Sequence, residues 1–294
     1  SLVGGSGNDT LVGSAQDDTI SGGEGADSLL GSAGDDSITG GDSDDTISGG
    51  VGSDTITGGS GADQFNVMAG EDQITDFGDG DDKVDVESGA TLLAQVTQNY
   101  TASSVGSIDN RASVASAVFA VADGINFDAS APTDTTNGLT IVAENNGTAN
   151  TLASVLTGTD QGDSIKGGSG NDTISGSAGD DSLVGGNGDD SLIGGAGADD
   201  LDGGQGIDTY TAGDGTAISL TMNDGAVSTV IVTGGENDNI INIENVSGTA
   251  GADTITGDSV DNVIDGKGGN DTISGGAEND TLLGGTGDDS LVGG

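Results

Sequence analysis

Aspartate recurs at every ninth residue over most of this chain, always within the same glycine-rich setting. The repeat has the form G-G-x-G-x-D-x-U-x, where U is a large apolar residue, as in GGSGNDTLV from Gly4 onward. Eighteen such nonapeptides form three blocks, at residues 4–66, 158–211 and 248–292. A strict nine-residue phase over so many units indicates a repeat architecture and not a glycine-rich linker with scattered acids.

The aspartate at position six carries the chemistry of the repeat. Glycines at positions one, two and four allow positive φ and a close approach of the backbone to a ligand. A turn of this kind leaves carbonyl oxygens pointing inward beside the carboxylate, and a hard cation such as Ca²⁺ takes six to eight oxygen ligands of these two types. The candidate metal ligands are therefore the sixth-position aspartates: Asp9, Asp18, Asp27, Asp36, Asp45, Asp54, Asp63, Asp163, Asp172, Asp181, Asp190, Asp199, Asp208, Asp253, Asp271, Asp280 and Asp289. The remaining repeat, 257–265, has Asn262 at this position and lacks glycine at positions two and four, which argues against an ion there.

Short strands must position these turns. In residues seven to nine of each repeat, period-two alternation sends position eight to one face and its neighbours to the other. Position eight is always a large apolar residue and is predicted to form the core; in the first block it is Leu11, Ile20, Leu29, Ile38, Ile47, Ile56 and Phe65. Two nonapeptides make one circuit of a flattened coil, so residues eighteen apart stack, as Asp9 does over Asp27. One ion between each stacked pair gives roughly a dozen Ca²⁺ ions.

On these residues the chain resembles the RTX (repeats-in-toxin) family of secreted bacterial proteins, whose calcium-binding nonapeptide has this form. The resemblance implies an all-β fold, a parallel β-roll in the form of a right-handed calcium-loaded solenoid. It also implies calcium-triggered folding outside the cell and export by a type I secretion system. Departures from the pattern are few: serine replaces the second glycine at Ser14, Ser32 and Ser177, and acids occupy position three at Glu24 and Asp42.

The charge of the chain points to the same dependence on metal. Its net charge is −46, with only four basic residues. A compact metal-free state would therefore repel itself, and low hydrophobicity with high charge is typical of disorder. Twelve Ca²⁺ ions would reduce the net charge to about −22. We expect metal binding to supply much of the folding free energy.

Composition also argues against several classes of function. Without histidine or cysteine, the chain lacks the ligands of common zinc and copper sites and any Ser-His or Cys-His nucleophile. Polyanion binding needs clusters of Lys and Arg, so nucleic acid is not an expected partner. No apolar run is long enough to cross a bilayer, and no signal peptide is present. No acidic pair stands apart from the repeats, so we do not expect an enzyme within these residues.

The pattern divides the chain into three parts. Residues 1–66 are predicted to form a first β-roll block, and residues 158–294 a second roll with repeats at 158–211 and 248–292. Between them, 67–157 are predicted to form a roll-capping segment followed by a small α+β insertion. The end of the coil would be covered by Phe65 of the first block together with Ile74, Phe77, Val84 and Val86. In that insertion, Asn110 would cap a helix reaching about Ala122, with Val114, Val118 and Val121 on one face and Gly124 as the stop. Leu139–Ala143 would form a strand followed by a turn at 145–147.

The gap at 212–247 keeps the phase of the repeat. Blocks two and three start ninety residues apart, which is ten nonapeptides, and Val246 and Glu244 fall where the apolar residue and the aspartate belong. Alternation at Ile218, Leu220 and Met222, then Asn-Asp-Gly at 223–225 and Val230–Val232, predicts a hairpin that bulges out of a continuous roll.

Two hypotheses for the function follow. The first is an extracellular structural protein: a calcium-loaded β-roll that is part of a larger surface-layer, matrix-filament or adhesin protein. The alternative is the C-terminal secretion and folding module of a type I secreted protease, lipase or toxin. Because the chain starts and stops inside repeats, we expect it to be a segment of a longer polypeptide. The open ends of a roll could also recruit further copies into filaments or a lattice.

Overall fold

A computed structural model describes residues 1–78, 82–86, 90–96, 100–101, 108–110, 117–121, 127–129, 138–145, 148–149, 151–213 and 217–294. Every regular element in these ranges is a β-strand. Contacts divide the chain into two compact units, Ser1–Thr148 and Ala149–Gly294. The predicted all-β class is confirmed, and the stacked parallel coils described next are those of a β-roll.

The first unit consists of short strands that alternate between two sheets. Its strands are β1 (Leu2–Ser6), β2 (Thr10–Val12), β3 (Thr19–Glu24), β4 (Ser28–Ala33), β5 (Ser37–Asp42), β6 (Thr46–Val51), β7 (Thr55–Ser60), β8 (Gln64–Val67), β9 (Gly70–Phe77), β10 (Lys83–Val86), β11 (Ala90–Val96), β12 (Tyr100–Thr101), β13 (Ile108–Asn110), β14 (Ala117–Val121), β15 (Phe127–Asp128) and β16 (Thr140–Asn145). Strand β17 (Thr148–Ala149) lies at the boundary of the units.

Parallel pairing in this unit follows the predicted eighteen-residue register. Leu2 is paired with Ile20 and Leu11 with Leu29, so each strand stacks on the strand two before it. One sheet has the order β1-β3-β5-β7-β9-β11-β14-β16 and the other β2-β4-β6-β8-β10-β13. One coil therefore contains two nonapeptides, as the sequence predicts.

The apolar residues at position eight line the interior between the sheets. Ile20, Ile38 and Ile56 are fully buried in one sheet, and Leu29, Ile47 and Phe65 in the other. Aromatic rings continue the core beyond the repeats: the centroids of Phe77 and Phe119 lie 5.4 Å apart, and those of Phe119 and Phe127 5.0 Å apart. Apolar burial of this kind is the main favourable term in folding.

The helix predicted from Asn110 to about Ala122 is wrong. Asn110 ends strand β13, and Val118 and Val121 belong to strand β14, which is parallel to β11 and β16. Phe119 and Val121 are buried two residues apart, which is a strand period, and β-branched and aromatic residues favour a pleated, half-buried surface. Val114 and Gly124 lie outside the described residues, as do residues 146–147 of the predicted turn at 145–147.

The predicted cap also differs from the structure. Phe65, Ile74, Phe77, Val84 and Val86 are all buried as expected. Strands β9 and β10, however, continue the parallel stack, and β11 and β13 add to them in turn. Parallel pairing needs alternating apolar residues and not the glycine-rich turn, so stacking continues where the nonapeptide is lost. Leu139 and Ile141 are buried in or beside strand β16, where the sequence predicts a strand.

The second unit repeats this arrangement. Its strands are β18 (Val155–Thr157), β19 (Ser164–Gly168), β20 (Thr173–Ala178), β21 (Ser182–Asn187), β22 (Ser191–Ala196), β23 (Asp200–Gln205), β24 (Thr209–Thr211), β25 (Ile218–Thr221), β26 (Ser228–Val232), β27 (Asp238–Ile241), β28 (Asn245–Ser247), β29 (Thr254–Thr256), β30 (Val263–Asp265), β31 (Thr272–Ser274), β32 (Thr281–Leu283) and β33 (Ser290–Val292). Strands β18, β20, β22, β24, β28, β30 and β32 pair in this order in one parallel sheet.

The predicted hairpin is present as strands β25 and β26, which are antiparallel, with Ile218 paired to Val232. It lies within the sheet instead of projecting from it: the order is β23-β27-β26-β25-β29-β31-β33. The alternating buried residues Ile218, Leu220 and Val230 provide the inward face that lets these strands join the sheet.

The described part of the chain contains no helix long and apolar enough to cross a membrane.

Candidate metal centre

The turns between strands have a recurrent backbone conformation. Positions two and four take positive φ, as in Gly23 (120°) and Gly25 (109°). Ser32 (90°) and Ser43 (80°) adopt the same conformation without being glycine. Position-one glycines are not in the left-handed region, so of the two expected reasons for glycine, positive φ does not apply there. The other reason, a close approach of the backbone to the site, does apply and is described below.

The sixth-position aspartates form rows along the turns, held by one carboxylate oxygen. The backbone N–H of Asp9 donates to Oδ1 of Asp27 at 2.8 Å, and that of Asp27 donates to Oδ1 of Asp45 at 2.7 Å. The same bond, at 2.7–3.0 Å, is accepted by Asp36, Asp54, Asp63, Asp172, Asp181, Asp190, Asp199, Asp208, Asp271, Asp280 and Asp289. The structure therefore brings the predicted residues together in the predicted eighteen-residue stacks.

The second carboxylate oxygen in most of these residues is buried and accepts no hydrogen bond from any described residue. This applies to Oδ2 of Asp9, Asp27, Asp36, Asp45, Asp54, Asp63, Asp181, Asp190, Asp199, Asp208, Asp271 and Asp280. A buried polar atom without a partner costs about 1–3 kcal/mol, and more when it is charged. A row of such oxygens therefore requires compensation by positive charge.

Backbone carbonyls stand beside these oxygens. A Cβ atom added to Gly4 would lie 2.5 Å from Oδ2 of Asp9 and 2.6 Å from the carbonyl oxygen of Gly22 in the next turn. The position-one glycines Gly22, Gly40 and Gly185 have the same two neighbours. Glycine is required at position one because a side chain would fill the space between the carboxylate and the carbonyl.

The donor set fits a hard cation. Among the described residues, no three acidic or other metal-binding side chains are close enough to hold an ion by themselves. A carboxylate oxygen from one turn with carbonyl oxygens from it and the next is instead an all-oxygen environment, which Ca²⁺ prefers. Transition metals favour nitrogen and sulfur ligands, and the chain contains no histidine or cysteine.

Burial raises the pKa of many aspartates in the rows. Desolvation raises the pKa of Asp63 to about 7 and that of Asp181 to about 8, although each carboxylate accepts a backbone hydrogen bond that opposes the shift. The pKa values of Asp190, Asp199 and Asp208 rise to about 6 for the same reason. Desolvation disfavours the charged form, and a bound cation would reverse this effect.

Three predicted ligands have a different environment. Oδ2 of Asp18, Asp163 and Asp253 accepts the backbone N–H of the residue four before it, at 2.8, 2.6 and 2.7 Å. Hydrogen bonds from the backbone and the hydroxyl of Ser14 lower the pKa of Asp18, opposite to the buried rows. Asn262 has the corresponding bond from Asp258 at 3.0 Å. The remaining predicted ligands, Asp172 and Asp289, occupy their expected places in the rows.

The rows also contain residues that are missing from the predicted set. Asp72 accepts the N–H of Asp54 at 3.0 Å, its Oδ2 has no hydrogen-bond partner among the described residues, and burial raises its pKa to about 6. Asp82 accepts the N–H of Asp63 at 2.9 Å, but its Oδ2 accepts the N–H of Gly78, four residues before it, at 2.9 Å. Asp238 accepts the N–H of Asp199 at 3.2 Å. The signal for Asp72 is present in the sequence, since GEDQI keeps Gly70 at position four and Ile74 at position eight.

Across the gap at 212–247, Glu244 continues the row that contains Asp208, and Asp238 continues the row that contains Asp199. Oε2 of Glu244 accepts the N–H of Asp208 at 2.8 Å, which confirms its assignment to position six. Oδ2 of Asp238 is occupied by the hydroxyl of buried Tyr210 at 2.8 Å. Together with the desolvated site, this carboxylate raises the pKa of Tyr210. At this point in the row a phenol hydrogen takes the place that a cation would hold elsewhere.

Comparison with known families gives one match. The RTX calcium-binding nonapeptide repeat, defined as four copies, matches residues 3–38, 39–74, 157–192, 175–210, 243–273 and 265–294. These matches cover more than half of the chain. A comparison with curated proteins found no significant match.

Proposed function

Because the chain belongs to the RTX calcium-binding nonapeptide repeat family, we propose that it is an extracellular structural segment of a larger secreted surface-layer, matrix-filament or adhesin protein. RTX repeats bind calcium and are typical of secreted proteins, and the β-roll they form is not catalytic by itself. The finer role is supported by the absence of any catalytic constellation in the sequence and by the large share of the chain given to the repeat. Folding on calcium after type I secretion is part of the same proposal.

One observation carries the proposal: the rows of buried Oδ2 atoms that have no hydrogen-bond partner among the described residues. The sixth-position aspartates that have such an oxygen would hold Ca²⁺ together with the carbonyls of neighbouring turns, and roughly a dozen ions would be bound. Bound calcium supplies the positive charge that compensates the buried carboxylates. The protein supplies oxygens at fixed positions and the stacked register that aligns them.

An extracellular location is part of the proposal, and it is consistent with the affinity expected for such sites. Extracellular calcium modules bind with dissociation constants of about 10⁻⁴–10⁻³ M, far above the cytosolic calcium concentration. The chain would remain unfolded during export and fold when it meets calcium outside the cell. Each site adds RT ln(1 + [Ca²⁺]/Kd), or about 1–2 kcal/mol at ten times Kd, to the stability of the roll.

Self-association through the ends of the roll is part of the proposal, because an unpaired sheet edge can accept a further coil of the same repeat. Light scattering with and without millimolar Ca²⁺ tests this, and a calcium-loaded chain that stays monomeric at high concentration would argue against it.

Circular dichroism tests the main proposal. With chelator, the chain should be largely disordered, and β signal should rise cooperatively as Ca²⁺ passes through about 10⁻⁴–10⁻³ M. Magnesium at the same concentration is the control, because it demands near-octahedral geometry and gives up water reluctantly. A chain that is fully folded in chelator, or that responds equally to both metals, would overturn the proposal.

A further inference from the structure

The turns of this chain occur in two forms. In the open form, represented by residues 31–36, Oδ2 of Asp36 has no hydrogen-bond partner in the described structure. In the closed form, represented by residues 13–18, Oδ2 of Asp18 accepts the backbone N–H of Ser14 at 2.8 Å and its hydroxyl at 2.9 Å. These two turns differ at one of six residues: they read GSAGDD and GSAQDD.

The closed form recurs with the same chemistry. The N–H of Thr159 donates to Oδ2 of Asp163 at 2.6 Å and its hydroxyl at 3.1 Å. The N–H of Thr249 donates to Oδ2 of Asp253 at 2.7 Å, and its hydroxyl donates to Oδ1 at 3.0 Å. These turns are the first of the second and third repeat blocks. In each, hydrogen atoms from position two occupy the carboxylate oxygen that is free in the open form.

Backbone conformation separates the two forms. In the open turn, Ser32 (φ 90°) and Gly34 (φ 111°) are both left-handed, whereas Ser14 and Gln16 in the closed turn are not. Serine at position two is compatible with either form, so it does not decide between them. Glycine takes positive φ freely and glutamine does not, which makes position four the residue that decides in this pair.

Non-glycine residues at position four do adopt positive φ where position two is glycine, as Ser43 (φ 80°) and Glu278 (φ 71°) do in open turns. Position four therefore decides the form only where position two is a residue other than glycine.

The remaining turns follow this rule. The open turn at 176–181 has Ser177 (φ 86°) and Gly179 (φ 101°), while the closed turn at 158–163 has Gln161 at position four. The closed turn at 248–253 has glycine at position four but threonine at position two, and a β-branched residue strongly disfavours positive φ. Position four of the turn ending at Asn262 is Val260, which is also β-branched.

From these contacts we infer that the closed turns of the nonapeptide repeats, ending at Asp18, Asp163, Asp253 and Asn262, do not take a calcium ion, and that the residue at position four selects the form of the Ser-containing turns. The inference rests on the proposed calcium-binding function of the rows. In a closed turn, hydrogen-bond donors at position two face the side-chain oxygen that a cation would need. These turns satisfy that oxygen themselves, so they can form without metal. Those ending at Asp163 and Asp253 can therefore provide calcium-independent starting points for the second and third blocks.

Native mass spectrometry of the full chain tests this by counting bound ions at saturating Ca²⁺. Gln16→Gly converts residues 13–18 into the sequence of the open turn and should bind one ion more than the wild type. Gly34→Gln performs the reverse exchange and should bind one ion fewer. Gln16→Ala, which keeps a residue that avoids positive φ, and Val51→Gln, which adds glutamine at a position 57% exposed, should both bind the wild-type number.

The outcomes separate this inference from the function on which it rests. A wild-type chain that binds no calcium would contradict the proposed function. A wild-type chain that binds calcium, with the same number of ions in Gln16→Gly, would overturn the inference alone. If the Gly34→Gln variant does not gain β signal in calcium, the ion count of Gln16→Gly still tests the inference, because glycine fits both forms of the turn.

Discussion

The aspartate at position six has two oxygens with different tasks. Oδ1 of Asp45 accepts the N–H of Asp27 at 2.7 Å and ties two turns together, while Oδ2 is buried without a hydrogen-bond partner in the described structure. The neighbouring Asp44 is exposed and uses its Oδ1 to accept the N–H of Ala62 at 2.9 Å. Two adjacent carboxylates thus have the same charge, but Asp45 alone of the two points a free oxygen into the turn.

This pair gives a matched test of the metal ligands. Asp45→Asn keeps the Oδ1 acceptor but removes the buried charge, so the calcium midpoint for folding should rise about two- to tenfold, or ~0.4–1.4 kcal/mol. Asp44→Asn removes the same charge from the surface and should leave the midpoint nearly unchanged. Calcium titration followed by circular dichroism measures both. Equal midpoints for the two variants would show that position six is not the ligand.

The raised pKa values predict a response of the metal-free chain to acid. Desolvation raises the pKa of Asp63 to about 7 and that of Asp181 to about 8 in the fold, against 3.8 for a solvent-exposed aspartate. The folded state therefore binds protons more tightly than the unfolded state, and its stability falls as pH rises from about 4 to about 8. Protein freed of metal by dialysis should gain β signal by circular dichroism as pH is lowered across this window. In the presence of calcium, the expected effect of acid is the opposite. Protons compete with the ion for the carboxylates, so the calcium midpoint for folding should increase as the pH is lowered.

A decrease or no change in β signal on acidification of the metal-free chain would contradict this prediction. Sodium chloride at matched ionic strength serves as the control for screening of the net charge.

Individual site residues could be predicted where the period was intact. The aspartates from Asp9 to Asp63 follow from a strict nine-residue spacing. Asp72 was missed because its turn starts with Val67 and Met68 instead of two glycines, and Asp238 because a hairpin separates it from Asp199. The closed state of Asp18 could not be predicted, because serine occupies position two in both forms of the turn. Ser32 has positive φ and Ser14 does not.

At the level of elements, each turn requires glycine at position one, and the alternation of residues in the strands does not predict this requirement. Position-one glycines such as Gly22 lie where a Cβ would collide with the aspartate of their own turn and with the carbonyl of Gly40 in the next. Of the two reasons for glycine expected from the sequence, positive φ and close approach, only close approach applies at position one.

Gly22→Ala should therefore destabilise the calcium-loaded roll by about 1–3 kcal/mol, the usual range for overpacking, and should also raise the calcium midpoint. Gly293→Ala is the control, because Gly293 also stands at position one but a Cβ there would meet no described atom within 4 Å. Denaturant unfolding in saturating calcium measures the difference. Equal stability of the two variants would mean that the turn can widen at no cost.

Strand prediction succeeded and helix prediction failed for a common reason. In the repeats and at Ile218–Val232, alternating apolar residues mark strands directly. In the segment around Phe119 the same alternation is short, and spacing among Val114, Val118 and Val121 also fits a helix. Tertiary pairing with β11 and β16 decides in favour of a strand, and that information is not local.

At the level of the whole molecule, the charge of −46 opposes compaction until cations are bound. We predict that the radius of gyration of the metal-free chain is about 60 Å and that calcium reduces it to less than half, because a compact chain of this length has about 19 Å. Small-angle X-ray scattering measures the change. Sodium chloride of equal ionic strength should contract the chain only slightly, since it screens charge without occupying the turns. Contraction by salt equal to that by calcium would show that general screening, not site binding, drives the transition.

The eighteen-residue register also constrains how a gene for such a protein can change in length. Leu11 stacks on Leu29 and Leu2 on Ile20, so successive nonapeptides alternate between opposite sheets. Loss or duplication of a single nonapeptide would move every later strand to the other sheet and bring unlike turns into contact. Loss or duplication of two nonapeptides keeps each residue stacked on a residue at the same position of the repeat. The spacing of thirty-six residues between the stacked pair Tyr210 and Val246 obeys this rule across an interrupted stretch. We therefore expect changes in length by two nonapeptides to be tolerated better than changes by one, since the coil is the unit that stacks.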